Sequence, residues 1–226
     1  MAVAATVTRL SLVVAVSMLA APLGVEAQSA TKVYRLGFLG AASASADPTR
    51  VEALRAGLRD LGYVEGKNIV IEYRWAEGNY DRLPVLAAEL VHLKVDVLVT
   101  AGTPAISTAK QTTTTVPIVM AGSGDAVATG LVASLARPGG NVTGLTDAVP
   151  ELMAKWLELL KEAVPRTKRV AVLLNPDNPA DVQSRKTTET AARSLNIELH
   201  RFEVRRLSEV EDAFAAMAKS RVDALP

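Results

Sequence analysis

Cysteine is absent from the 226-residue chain, and histidine occurs only twice, at His92 and His200. Without cysteine the protein has no disulfide framework, no cysteine-ligated zinc or iron–sulfur site and no thiol nucleophile. The two histidines lie far apart in the sequence, one at the end of a predicted helix and one within a predicted strand, so we expect structural roles for both. Most metal chemistry and most catalytic-triad chemistry are therefore excluded.

The sequence also lacks an excess of charge of either sign, with 25 Lys and Arg against 24 Asp and Glu. Nucleic-acid binding depends on a basic surface, so we expect no nucleic-acid partner. Phosphate-binding loops are missing as well. No GxxxxGK[ST] motif occurs, and Val127 stands where a GxGxxG motif beginning at Gly122 would need its third glycine. Nucleotide binding by these two routes is excluded.

An apolar run near the N-terminus is too short to span a bilayer. It covers residues 10–23, about 14 residues, whereas a membrane-spanning helix needs about 20. Arg9 precedes it, and the small residues Val25 and Ala27 that follow suit signal peptidase. We therefore expect a signal peptide over residues 1–27, cleaved near Ala27, and a periplasmic protein.

After this segment, short β-branched runs alternate with amphipathic stretches. Strands are predicted at residues 34–39, 68–75, 96–100, 117–120, 142–145, 169–174 and 198–203. Helical patterns include residues 48–61, 83–93 and 150–164. Trp156 lies on the apolar face of the last of these, where we expect it to pack in the core of its lobe or at a hinge, with stacking on a ligand as the alternative. The alternation predicts an α/β fold with a parallel sheet and helices on both faces.

A turn-rich segment at residues 137–147 separates five predicted strands from a shorter strand–helix series. We therefore expect an N-terminal ligand-binding lobe over residues 28–147 and a C-terminal lobe over residues 148–226. The second lobe has two full strands and the start of a third at residues 221–225, too few for a doubly wound sheet. We expect this lobe to be incomplete, and the gene product to be closer to about 300 residues long.

Four strand ends carry loops of small and polar residues. In parallel α/β sheets, ligands bind at the carboxyl ends of strands, beside helix N-termini. The candidate ligand-binding residues at these ends are Gly40, Ala41, Ser43, Gly102, Thr103, Ser123, Asp125 and Asn175. Each loop is predicted to open a capped helix, and the predicted caps are Asp47, Thr103, Asp125 and Asn178.

These loops suit a small carboxylate or zwitterion. A helix N-terminus carries about half a positive charge, Gly102 would let a carboxylate approach the backbone, and the hydroxyls of Thr103 and Ser123 could donate hydrogen bonds. Asp125 could accept from a ligand ammonium. Such caps are also the ordinary start of any helix, so a purely structural interpretation stays open. Trp75 and Tyr80 flank another loop, where packing or a role at the mouth of the crevice would explain them.

The strand ends also carry a family resemblance. The run from Gly124 to Gly144 (GDAVATGLVASLARPGGNVTG) and segments such as YRLGFLG, DVLVTAGTPA and RVAVLLNPDNP resemble ABC-transporter substrate-binding proteins with the type I periplasmic-binding fold. This group includes tryptophan- and tyrosine-type binders, and the similarity extends from about Lys32 to the end of the chain. One departure is Ala126, where many members have proline.

The resemblance implies two Rossmann-like lobes that close on a ligand. It implies an extracytoplasmic solute-binding component of an ABC importer, not an enzyme, with no cofactor and no metal. Such a protein captures a small molecule, with an amino acid or small carboxylate as the leading class, and delivers it to an ABC permease in the membrane. A monomer is expected.

Two other classes of protein are alternatives. An exported α/β enzyme such as a hydrolase would need an activated nucleophile, and the sequence has no cysteine, no well-placed histidine and no GxSxG motif around Ser123. A ligand-sensing regulator of the same fold would place a helix-turn-helix before Lys32, where the signal peptide is predicted instead.

Overall fold

The computed structural model describes residues 32–46, 48–147 and 149–225. The seven predicted strands all form within these residues, each within one residue of its predicted bounds: β1 Tyr34–Gly40, β2 Ile69–Trp75, β3 Val97–Ala101, β4 Ile118–Ala121, β5 Val142–Leu145, β6 Arg169–Leu174 and β7 Glu198–Glu203. The same part of the chain holds α1 Pro48–Asp60, α2 Leu83–His92, α3 Thr103–Thr112, α4 Val149–Ala163, α5 Pro179–Ser194 and α6 Val210–Lys219. The predicted signal peptide and the predicted cap at Asp47 lie outside the described residues.

The first five strands form one parallel sheet in the order β2-β1-β3-β4-β5. Successive strand residues point to opposite faces, so Leu39 packs with the α2 and α3 side of the core while Phe38 packs beneath α1. Spacings of three and four residues place Leu83, Leu86 and Leu90 on one buried side of α2. The predicted parallel sheet with helices on both faces is therefore confirmed. We call residues 34–145 the first lobe.

The remaining strands, β6 and β7, form a parallel pair that is packed by α4 and α5 around Leu157, Val170 and Ile197. We call residues 149–225 the second lobe. The start of the predicted third strand forms a single parallel bridge, in which Ala171 N–H donates to Ala224 O at 2.8 Å. Both lobes belong to one compact unit that begins at Val33, and the predicted boundary between residues 147 and 148 stays a prediction.

Trp156 on α4 is 47% exposed, so it does not lie in the second-lobe core, and its packing at a hinge stays a prediction. Leu157, its neighbour along the helix, is the residue that is fully buried in the second-lobe core. An amphipathic pattern gives the direction of the apolar face but not how far a neighbouring element covers it. In the described part of the chain, none of the helices is both long and apolar enough to span a membrane.

Candidate functional site

A cleft opens at the carboxyl ends of β1, β2 and β3, and one of its lining residues, Asn178, comes from the second lobe. Its volume is about 280 Å³. The lining residues are small, aromatic or polar: Phe38, Gly40, Ala41, Ala42, Arg50, Trp75, Gly78, Tyr80, Ala101, Gly102, Thr103, Pro104 and Asn178. Among these described lining residues, Arg50 is the one with a charged side chain.

The floor of the cleft is built by a glycine and two aromatic rings. Gly40 ends β1, and a Cβ placed on it would lie 2.2 Å from the ring of Trp75, so only glycine lets this ring lie against the strand. The ring of Phe38 supports Trp75 at a centroid distance of 4.9 Å and a tilt of 44°. The two rings present an apolar wall that suits a planar or aromatic group.

Gly102 begins the helix at the centre of the cleft. It has φ of 92° and ψ of 136°, a conformation that residues with a Cβ avoid, and it is the N-cap of α3. The prediction that Thr103 is the cap was therefore wrong, because Thr103 is the first helical residue and the cap has no side-chain hydrogen bond. Gly102 N–H donates to Gly122 O at 3.3 Å and Pro104 has no N–H, so Thr103 and Ala105 supply the first-turn N–H groups that have no partner within the helix.

The hydroxyl of Thr103 connects two loops of the first lobe. The side chain is 4% exposed, and its Oγ1 accepts from Gly124 N–H at 3.0 Å. A hydroxyl that accepts one hydrogen bond still has a proton to donate, so Thr103 keeps the capacity to bind a ligand oxygen. Of the predicted polar side chains in the first lobe, Thr103 is the one that the structure places in the cleft lining.

The end of β1 and the loop after it line the cleft with the small residues Gly40, Ala41 and Ala42. Ala41 is 7% exposed, its N–H donates to Ala101 O at 3.1 Å, and its carbonyl accepts from Gly78 N–H at 3.0 Å. Ser43 lies outside the lining, and its Oγ is 3.1 Å from Ser45 Oγ. Gly40 and Ala41 are thus brought together with Gly102 and Thr103, whereas Ser43 is not.

Ser123 and Asp125 lie away from the cleft lining. Ser123 is 3% exposed, and its hydroxyl faces Leu145 O at 3.5 Å and the sulfur of Met120 at 3.8 Å. Asp125 Oδ1 accepts from the N–H groups of Val127 at 3.0 Å and Ala128 at 2.9 Å. Their assignment to a ligand stays a prediction.

The helix predicted to start at Asp125 does not form, which corrects that expectation. Asp125 caps a single turn, in which Thr129 N–H donates to Asp125 O at 3.0 Å. The chain reverses at Gly130, with φ of 71°, and Val132 N–H then donates back to Ala126 O. A local capping signal cannot distinguish one turn from a continued helix, because the continuation depends on later residues.

In the second lobe, Asn178 rather than Asn175 lines the cleft. Asn178 is the N-cap of α5, as predicted, and its Oδ1 accepts from Ala180 N–H at 3.1 Å. Asn175 Oδ1 accepts from Asp177 N–H at 2.9 Å, and Asn175 N–H donates to Asp181. The sequence identified Asn178 only as a cap, because a capping pattern does not show which side of the loop faces the other lobe.

Tyr80 joins the lobes beside the cleft. Burial raises the pKa of its hydroxyl, and the nearby carboxyl groups of Asp181 and Asp177 raise it further, whereas a hydrogen bond with the Asn175 side chain opposes the shift. Burial also raises the pKa of Asp181, although hydrogen bonds from Asn175 N–H and the Asn178 side chain oppose that shift. These groups form a polar contact between residues of the first and second lobes.

The fold and the cleft define the class of protein: a parallel α/β protein of the type I periplasmic-binding fold, with a cleft at the strand ends between two lobes. The profile of the family described as ABC transporter substrate binding protein matches residues 42–225. The chain therefore belongs to this family, and the resemblance noted in the sequence is confirmed.

Similar proteins include binders of aromatic amino acids. A tyrosine-binding protein of Clostridioides difficile is 31% identical over 168 residues, which cover 74% of this chain and 48% of that protein. A crystal structure of a conserved domain protein from Vibrio cholerae has a TM-score of 0.79 at 31% identity, covering 86% of this chain and 64% of that one. An ABC domain from Streptococcus pneumoniae in complex with L-Trp has a TM-score of 0.76 at 25% identity, with the same coverage.

The chain spans about half the length of the tyrosine-binding protein and just under two thirds of the two similar structures.

Proposed function

We propose that this protein is the extracytoplasmic solute-binding component of an ABC importer, that it binds a small carboxylate ligand in the cleft between its lobes, and that the ligand is an amino acid with an aromatic side chain. The proposal depends on one observation: a helix N-terminus and an aromatic ring line the same cleft. The N-terminus of α3 at Gly102 and the ring of Trp75 both line this cleft. One feature suits a carboxylate and the other a planar apolar group.

The carboxylate would bind at the start of α3. The N–H groups of Thr103 and Ala105 in the first turn are not used within the helix, and the Thr103 hydroxyl has a proton to donate. Gly102 has no side chain to keep the ligand from the backbone. A carboxylate bound here would receive charge-assisted hydrogen bonds, worth about 1.5–3 kcal/mol each.

The size of the cleft and its lining support an amino acid rather than a larger solute. Small-molecule sites commonly have volumes of roughly 300–1,000 Å³, and this cleft, at about 280 Å³, is slightly smaller than that range. Trp75 and Tyr80 offer aromatic contact, and Asn178 from the second lobe offers an amide. The names of the relatives that bind tyrosine or L-Trp support the same class.

We further propose that the protein performs no chemistry and hands its ligand to a membrane permease from the periplasm. Neither histidine lies in the cleft: His92 ends α2 beside Arg74 and Pro84, and His200 lies in β7 beside Glu198. Without a base among its lining residues, the cleft does not support the hydrolase alternative. Binding that draws the lobes together provides the signal a permease would recognise.

Isothermal titration calorimetry tests the ligand. L-tyrosine and L-tryptophan should bind with micromolar or tighter affinity, whereas tyramine, which lacks the carboxylate, should bind at least about 100-fold more weakly because the N–H groups in the first turn of α3 lose their partner. L-alanine should also bind weakly because it leaves the aromatic wall uncovered. Equal affinity for tyramine and L-tyrosine would refute the carboxylate site, and binding of neither aromatic amino acid would refute the proposed ligand class.

A further inference from the structure

Gly124 is a contact point between the lobes. It lies in the first lobe after β4, and its backbone is not in the left-handed region, so its own conformation would admit any residue. A Cβ placed there would nevertheless lie 2.5 Å from the Cβ of Ala180 and 3.6 Å from the Cα of Ala180. Ala180 is the second residue of α5 in the second lobe. Packing against the second lobe, rather than backbone conformation, is therefore the reason that position 124 requires glycine.

Gly124 is held firmly on its own side. Its N–H donates to Thr103 Oγ1 at 3.0 Å, and its carbonyl accepts from Thr146 Oγ1 at 3.0 Å. Thr146 Oγ1 in turn accepts from Ala126 N–H at 2.9 Å. Retreat of the loop would break these hydrogen bonds, so a larger residue at 124 would displace the second lobe instead.

Ala180 is coupled to the cleft through its own cap. Its N–H donates to Asn178 Oδ1, and Asn178 lines the cleft. Carbon atoms pack at about 3.5–4.0 Å, so a methyl group at position 124 requires the start of α5 to move by about 1 Å or more. That movement carries Asn178 away from the ligand position.

We propose that Gly124 is a positioning residue that sets how far the lobes close, because it lets Ala180 pack directly on its backbone. The residue need not touch the ligand for this role. Closure is an equilibrium between arrangements of the lobes, and apparent affinity falls in proportion to the fraction of molecules that can close. Gly124 therefore controls affinity through closure, and the ligand part of its test rests on the proposed function.

The distance between the lobes is the readout that a local packing role would not change. Because the chain has no cysteine, two introduced cysteines can be spin-labelled selectively, at the exposed Ala88 on α2 and the exposed Ala215 on α6. Double electron–electron resonance then gives the distance distribution with and without L-tyrosine. Gly124→Ala should shift the distribution to longer distances and weaken L-tyrosine binding about tenfold or more.

A reciprocal change supplies the rescue. Ala180→Gly removes the methyl group that the new side chain would strike, so the double variant with Gly124→Ala should regain the wild-type distances and an affinity within about threefold of wild type. Gly140→Ala is the matched control, because a Cβ there meets nothing within 4 Å and its backbone is not left-handed. This control should match wild type in both measurements.

Circular dichroism shows whether each variant folds. If Gly124→Ala does not fold, Ala180→Val tests the same contact from the second lobe with Gly124 intact, and it should lengthen the distances. Wild-type distances in folded Gly124→Ala, or failure of Ala180→Gly to restore them, would overturn the inference. A wild-type protein that ignores L-tyrosine would refute the proposed ligand instead, since the ligand-free distances test the contact independently.

Discussion

Replacing Thr103 with valine separates the structural role of its hydroxyl from its role in binding. Valine keeps the shape of the side chain but cannot accept a hydrogen bond. In the variant, the Gly124 N–H that now lies 3.0 Å from Thr103 Oγ1 loses its acceptor. Thr103 is 4% exposed, so water reaches this position poorly. An unsatisfied buried donor costs about 1–3 kcal/mol, and we take about 1–2 kcal/mol because Gly124 itself is only partly buried.

This magnitude contains no contribution from a lost cap, since Gly102 and not Thr103 is the N-cap of α3. For a chain of this size, 1 kcal/mol lowers the melting temperature by about 2–4 °C, so Thr103→Val should melt about 2–8 °C below wild type. Thr112→Val is the control in the same helix. The Thr112 hydroxyl donates to Thr108 O within the helix, and its loss should change stability by less than about 0.5 kcal/mol.

Scanning calorimetry of both variants gives the stability, and titration with L-tyrosine at a temperature where each is folded gives the affinity. Thr103→Val should weaken L-tyrosine about 10-fold or more, the effect of one lost hydrogen bond to a carboxylate. A variant that melts with wild type would refute the role of the hydroxyl in joining the loops. One that is destabilised but binds with wild-type affinity would refute its contact with the ligand.

Three further changes test other parts of the structure. Gly144→Ala should destabilise the first lobe by about 3 kcal/mol or more, because Gly144 has φ of 132° and a Cβ would lie 2.3 Å from Met120 O. Chemical denaturation measures this change in stability, and a loss below about 1 kcal/mol would contradict the prediction. Asn178→Ala should cost about 1 kcal/mol by removing the acceptor for Ala180 N–H, which thermal melts would show; an unchanged melt would contradict it. Two backbone N–H groups hold the pKa of Asp223 below its ordinary value of 3.8. Its contribution to stability is therefore present above pH 3.8 and is lost as the pH falls through the lowered pKa. Asp223→Asn should make the stability depend less on pH in this acidic range, and an unchanged pH dependence would contradict this.

The strands could be predicted because their signals are local. β-Branched runs bounded by turn residues gave all seven strands within a residue, and the alternation with helices gave the parallel sheet. Since the carboxyl ends of parallel strands share one edge, the sequence also placed Gly40, Ala41, Gly102 and Thr103 together correctly. For these residues, the parallel arrangement of the strands is enough to determine that they lie close together.

The direction of individual side chains could not be predicted. Whether Ser123 faces the cleft or β5 depends on the twist of the loop, and the structure turns it toward Leu145. The cap at Gly102 depends on a backbone angle that composition does not reveal. The role of Gly124 depends on the position of Ala180 in the other lobe, 56 residues later in the sequence. A contact between the lobes cannot be predicted from the local sequence around either residue.

The proposed ligand binds in the cleft against Trp75. The chain has two tryptophans, and Trp156 lies half exposed on α4, so Trp156→Phe leaves Trp75 as the single tryptophan fluorophore at little cost in stability. Titration of this variant with L-tyrosine, excited at 295 nm to favour tryptophan, should change the Trp75 emission saturably, with the dissociation constant found by calorimetry. If calorimetry detects binding while the emission of Trp75 stays unchanged, the ligand binds elsewhere, which would contradict binding against Trp75.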